Sequence, residues 1–239
     1  MNASHGAGPP TRGRRPGRTS ALLVVLVGAC AALAALTTTL LAHRLGPLPG
    51  DTFLARLAVE HRPPIVVVAF KALTATGTGT TPYALAAAAG LLLTAQADFL
   101  PGRRTGFRRT AAVAVCAGWL ALGQAIRLGL MTVVARPRPP ESNWLTHASR
   151  HAFPSGHTTT SAMAAGLVII ALAMTRPPGH RPWIAALTCW AVLVGASRVW
   201  LGVHWATDVI AGWLLALAWS LIGAAALAKA RDSRSTSAA

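Results

Sequence analysis

The chain has 239 residues, of which 53% are hydrophobic and 12% charged, and its mean hydropathy is +0.49. Soluble domains carry about 25% charged residues, so this composition excludes an ordinary water-soluble enzyme and indicates one membrane-embedded domain. Basic residues outnumber acidic ones 22 to 6, but many of the arginines stand in short clusters beside apolar runs, which selects membrane lipid rather than nucleic acid as the partner.

Residues 1–20 are rich in Gly, Pro and Arg and are expected to form a disordered basic cytoplasmic tail. Residues 21–42 are apolar and long enough to span a bilayer, which takes about 20 residues. The run exceeds a signal-peptide core, so it is expected to be kept as a first span. Residues 51–61 place Leu54, Leu57 and Ala58 beside Arg56 and Glu60, the pattern of an amphipathic helix lying on the membrane surface. Pro63 and Pro64 end that helix. Residues 65–76 are expected to dip into the bilayer, and TGTGTTP at 76–82 to turn the chain. Further spans are expected at 81–99, 111–134, 157–175, 182–199 and 204–228. The predicted fold is therefore all-α: a polytopic membrane bundle of about six transmembrane helices plus a surface helix. Its membrane domain covers 21–228, and 229–239 form a second cytoplasmic tail. Cys30, Cys116 and Cys189 all fall inside apolar runs without metal-site spacing and read as small buried hydrophobes.

Orientation follows from Lys and Arg in the short loops. With the N-terminus inside, the inner segments hold Arg12, Arg14, Arg15, Arg18, Arg103, Arg104, Arg108, Arg109, Arg176, Arg181, Lys229, Arg231 and Arg234, which is 13 of the 22 basic residues. Both termini are then cytoplasmic, and residues 135–156 and 200–203 face out.

That outer face collects three polar stretches: MTVVARPRP at 131–139, FPSGH at 153–157 and SRVWLGVHWATD at 197–208. Ionisable side chains at membrane depth are costly and usually face a cavity that uses them. His204 and Asp208 are four apart, one turn on a helix face. Asp208 can then fix the tautomer of His204, which suits a histidine nucleophile or base. Arg138 and Arg198 can each grip phosphate oxygens in a bidentate fashion. Ser155, Gly156 and His157 stand at a helix start, where free N–H groups and the helix dipole favour an anion. His157 is placed to protonate a leaving oxygen. His147 and His151 lie in the preceding loop, where side chains of this kind are more often simply solvated than in contact with a headgroup.

These stretches resemble the signature motifs of the type 2 phosphatidic acid phosphatase superfamily, which includes lipid phosphate phosphatases and vanadium haloperoxidases. Its pattern is K-x6-R-P, then P-S-G-H, then S-R-x5-H-x3-D. Pro154, Ser155, Gly156 and His157 match the second motif in full, and Ser197, Arg198, His204 and Asp208 match the third. In the first, Arg138 and Pro139 match R-P, but Met131 stands where the family has lysine. Arg127, one turn earlier on the same face, and Arg136, nearer the pocket mouth, are the possible stand-ins.

The resemblance implies that His204 attacks phosphorus to form a phosphohistidine and that Asp208 orients it. It implies that His157 acts as acid and then base, while Arg138, Arg198, Ser155 and Gly156 hold the phosphoryl oxygens. It calls for no metal or other cofactor, and the chain has no carboxylate cluster suited to Mg²⁺. The expected substrate is a lipid phosphate or isoprenyl diphosphate, met at the outer face of the plasma membrane. The alternatives are a lipid-phosphate-binding protein whose catalysis went with the lysine, and a haloperoxidase-like vanadate enzyme.

Overall fold

The computed structural model describes residues 18–95 and 105–237. The tail expected at the N-terminus lies almost wholly outside them. Eight helices follow in order: α1 (Arg18–Ala42), α2 (Pro49–Glu60), α3 (Pro64–Ala75), α4 (Thr80–Ala95), α5 (Thr105–Val134), α6 (Gly156–Thr175), α7 (His180–Trp200) and α8 (Ala206–Ser237). No strand occurs among the described residues. Five helices, α1, α5, α6, α7 and α8, are long and apolar enough to cross a membrane. The expected 81–99 span is represented by α4, whose 16 residues rise about 24 Å at about 1.5 Å each. Residues 229–237, expected as a tail, continue α8.

The central helix is α6, which packs against α4, α5, α7 and α8, while α1 lies along α8. Met163, Ala164, Val168, Ala171 and Leu172 of α6 meet Ala86, Ala89 and Leu93 of α4, Cys116 and Leu120 of α5, and Leu215 and Ala216 of α8. Small residues allow this, because between helices in lipid the attraction comes from close packing rather than water exclusion. At Gly90 a methyl group would press onto the backbone of Ala112 and Val113. Of the cysteines, Cys116 is buried as expected, whereas Cys30 and Cys189 are exposed on the bundle surface.

The α2–α3 pair lies beside one end of α7 and α8. Its prolines set the break: Pro49 opens α2, and Pro63 and Pro64 cap and open α3, where a missing N–H costs nothing. The orientation of α2 carries a surprise. Phe53, Leu54, Leu57 and Val59 are exposed, while Asp51 is fully buried. The apolar stripe faces outward, as suits a helix at a membrane surface, and the carboxylate faces the protein.

At the same end of the bundle the two loops expected to face out are tied to each other, within themselves and to the start of α8. Leu145 N–H donates to the Leu201 carbonyl, Ala152 N–H to that of Arg136, and Ser155 N–H to that of Asp208. Gly202, with φ +77°, makes the contact possible, since a Cβ there would collide with the Asn143 carbonyl. An L side chain is excluded on both counts.

Candidate active site

The three motifs converge on one cleft of about 450 Å³ at this end, within the usual range for a small-ligand site. Arg127, Met131, Arg138, Gly156, His157, Arg198 and His204 all line it. No acidic side chain does so among the described residues.

His204 does not sit on a helix. It belongs to the short turn between α7 and α8, and Asp208 is the third residue of α8. The helical reading of their four-residue spacing is thus corrected, although the two side chains still face each other. His204 Nδ1 is 3.5 Å from Asp208 Oδ2, longer than a formed hydrogen bond. On the other side of the ring, Arg138 Nη1 stands 3.0 Å from Nε2. An arginine N–H can only donate, so Nε2 carries the lone pair and the ring proton belongs on Nδ1, toward Asp208. Burial, and then the Arg138 and Arg198 guanidinium groups, hold the His204 pKa well below the ordinary histidine value. The ring is therefore neutral, which is the nucleophilic form.

The arginines differ in what they have left to give. Arg138 spends Nε on the Arg150 carbonyl, Nη2 on those of Ser149 and His151, and one Nη1 proton on that of Val203. One N–H remains, and it points at His204. The expected bidentate grip is corrected here: the fork is consumed by the loop backbone, and Arg138 presents a single donor. Arg198 is 2% exposed; it donates Nη1 to Thr74 Oγ1 at 2.9 Å, while its Nε has no partner among the described residues. Arg127 donates Nη1 to Met131 Sδ at 3.2 Å, and its buried Nε is likewise unpartnered. Its guanidinium lies against Gly156, where an added Cβ would meet it at 3.4 Å. Buried donors left unsatisfied are expensive, and an oxyanion in the cleft would relieve both.

Gly156 is the first residue of α6 and Ser155 its cap, so the first N–H groups of the helix are free of helical partners. Ser155 departs from its expected role. Its side chain is fully buried, its hydroxyl accepts from Thr158 Oγ1 at 2.9 Å, and it does not line the cleft. Arg136 departs as well. It is fully buried away from the mouth and bonded to Asp51 and Asp208, so it is no stand-in for the lysine. His147 and His151 do reach the cleft, together with Arg150.

Three threonines at the end of α3 and in the turn after it carry no sign of a site role in the sequence. Thr74 bonds Arg198, Thr76 accepts from Trp190 Nε1 at 2.8 Å, and Thr78 Oγ1 is 3.4 Å from His157 Nε2. Alternate threonines at a helix end and in the turn after it carry no local signal of this, because their partners are 124, 114 and 79 residues away.

The PAP2 superfamily model matches residues 23–232. The chain belongs to the PAP2 superfamily. Among PAP2 relatives, phosphatidylglycerophosphatase B of Bacillus subtilis is 38% identical over 81 residues, covering 33% of this chain and 40% of that protein. The undecaprenyl-diphosphatase of Sulfolobus acidocaldarius is 38% identical over 84 residues, covering 35% and 33%. These matches thus span well under half the length of either relative. The transmembrane PAP2-type phosphatidylglycerolphosphate phosphatase of Bacillus subtilis shares the fold, with a TM-score of 0.65 at 23% identity over 82% of this chain and 92% of that one. Aquifex aeolicus LpxE aligns with a TM-score of 0.51 at 24% identity over 72% and 93%. With its apolar spans and this fold, the PAP2 protein described here is an integral membrane protein.

Proposed function

We propose that this protein is a phosphatase of the plasma membrane that hydrolyses a lipid phosphate or isoprenyl diphosphate at the extracytoplasmic face, through a phosphohistidine on His204. The observation that carries this reading is the cleft itself: a neutral His204 whose Nε2 lone pair faces it beside the Arg138 N–H, His157, and four arginines, with no lining carboxylate to repel a phosphate.

In the proposed reaction Nε2 of His204 attacks phosphorus in line with the leaving oxygen. The Nε2–P bond forms, the P–O bond to the lipid breaks, and His157 gives its proton to the departing oxygen. His157 then takes a proton from water, which attacks the phosphohistidine and releases inorganic phosphate. Arg198, Arg127, the Arg138 N–H and the Gly156 amide hold the equatorial oxygens, where charge must be stabilised in the transition state. Asp208 orients the imidazole. Arg127 supplies the cation that the family's lysine supplies elsewhere. No step calls for a metal ion.

Purified protein is expected to release inorganic phosphate from at least one member of a panel comprising phosphatidic acid, phosphatidylglycerophosphate and undecaprenyl diphosphate, at the same rate with and without EDTA. Silence across the panel rejects the phosphatase reading, and loss of turnover in EDTA rejects the metal-free scheme.

Orientation rests on the loop charges and is tested separately. A reporter fused after Ala239 is expected to read cytoplasmic, and one inserted near Ser142 external. The reverse result moves the cleft to the cytoplasm and excludes a carrier lipid presented at the outer face.

A further inference from the structure

Behind the cleft, the first turns of α2 and α8 are bound together by one guanidinium and two carboxylates. Arg136, Asp51 and Asp208 are all 0% exposed, and none of them lines the cleft. Arg136 Nη1 donates to Asp208 Oδ1 at 2.6 Å and to Thr207 Oγ1 at 2.7 Å; Nη2 donates to Asp51 Oδ2 at 2.8 Å and to the Gly46 carbonyl at 3.1 Å; Nε donates to the Leu45 carbonyl at 3.3 Å. Every N–H of the fork has an acceptor. Asp51 Oδ1 in turn accepts from the Thr207 N–H at 2.8 Å.

The two carboxylates are placed by the same local device. Each is the third residue of its helix and accepts from the N–H of the residue that caps it: Asp51 from Leu48 at 3.1 Å, and Asp208 from Trp205 at 2.9 Å. This is half of a capping box, and it fixes one oxygen of each carboxylate. In Asp208 the fixed oxygen is Oδ2, the one facing His204 Nδ1. Arg136 holds the other oxygen, so the carboxylate cannot swing away from the ring.

Resting on the reading of His204 as the nucleophile, we infer that Asp51 and Arg136 are positioning residues for the phosphoryl transfer: through Asp208 they aim His204 and stabilise the positive ring formed when Nε2 attacks phosphorus. The charge balance supports this. Two carboxylates and one guanidinium leave the cluster at −1. All else facing His204 is cationic or neutral: Arg138 and, from the same loop, His147, Arg150 and His151; Arg127 from α5; His157 from α6; Arg198 from α7. While Nδ1 keeps its proton, bond formation at Nε2 makes the ring cationic. The buried cluster is the one negative counterweight among the described residues, and charges interact strongly where water is excluded. Its benefit appears as the ring becomes charged, so it belongs to kcat rather than to substrate binding.

The test uses full-length protein in detergent, with phosphatidic acid in mixed micelles and phosphate release as the readout. Asp51→Asn removes one charge and little volume. It is expected to lower kcat at least about tenfold with KM within about twofold, and to move the acid limb of the kcat/KM profile to lower pH, because a ring that has lost negative charge nearby is harder to protonate. In an Asp208→Asn background the same change is expected to cost less than about twofold, since it acts through Asp208. A packing role alone would leave the acid limb in place and the two losses multiplicative, and that result overturns the inference. If Asp51→Asn does not fold, Thr207→Val removes the hydroxyl that bridges Arg136 and Asp51 while leaving all three charges, and is expected to lower kcat with KM and the acid limb in place, with Thr207→Ser restoring kcat. A Thr207→Val protein with parental kcat, or one that Thr207→Ser does not rescue, also overturns the inference. An active parent enzyme that tolerates these changes rejects the positioning role alone; a parent inactive on every lipid phosphate rejects the proposed reaction with it.

Discussion

Replacing His204 with alanine is expected to abolish phosphate release, with a fall of at least about 10⁴-fold, or about 5 kcal/mol of barrier. The size follows from the chemistry. In the cleft the Nε2 lone pair of His204 meets an arginine donor while the other side of the ring is backed by a carboxylate, and removing the ring deletes the covalent route rather than weakening a contact. His157→Ala is expected to behave differently. It removes proton donation to the leaving oxygen, so the loss grows as the leaving group becomes poorer and shrinks for an aryl phosphate. The pH profile adds an independent check. Because burial and the flanking arginines keep the His204 pKa well below its ordinary value, the nucleophile stays unprotonated as the medium is acidified, and the acid limb of kcat/KM should fall below about pH 6.5, the ordinary histidine value. Folding is monitored by circular dichroism, and the intermediate by acid-labile ³²P on the protein. A His204→Ala enzyme with near-parental turnover would require another nucleophile.

Arg127→Ala is expected to cost about ten- to a hundredfold in kcat/KM, and Met131→Lys to change little. Methionine cannot bind phosphate as a cation, so the first motif lacks its charge at position 131. One turn away, the Arg127 guanidinium touches the Met131 sulfur, lies against Gly156 at the start of α6, and keeps a buried Nε without a partner. A charge-assisted hydrogen bond to a phosphoryl oxygen contributes about 1.5–3 kcal/mol, which sets the range of the loss. A lysine added at 131 would stand beside a cation already in place, and like charges in a confined cleft repel. Arg127→Lys is expected to recover part of the activity, since it restores charge without the fork. Steady-state kinetics on folded variants decides the matter. Parental rates in Arg127→Ala, or a large gain in Met131→Lys, would mean that the lysine's role is unfilled. Arg136 offers no refuge, because each of its N–H groups is already committed.

The sequence by itself determined the helical membrane class, the approximate limits of α1, α5, α6, α7 and α8, and the residue types that meet in the cleft. These are local signals. A run of about 20 apolar residues must satisfy its backbone as a helix in lipid, prolines mark where α2 gives way to α3, and P-S-G-H places a glycine and a histidine at a helix start whatever packs above it. Only the tertiary structure decided how the arginines divide their work. Arg136 and Arg138 are two residues apart and look alike in sequence, yet one has every N–H committed away from the cleft, two of them to carboxylates, and the other points at His204. Asp51 reads locally as one polar residue of a surface helix; its partners Arg136 and Thr207 are 85 and 156 residues away. Ser155, apt for an oxyanion by type, is turned toward Thr158. Which donors remain free for a phosphate depends on which backbone carbonyls the folded loops bring within about 3 Å. That is set by how the helices pack and how their ends meet, and no spacing along the chain encodes it.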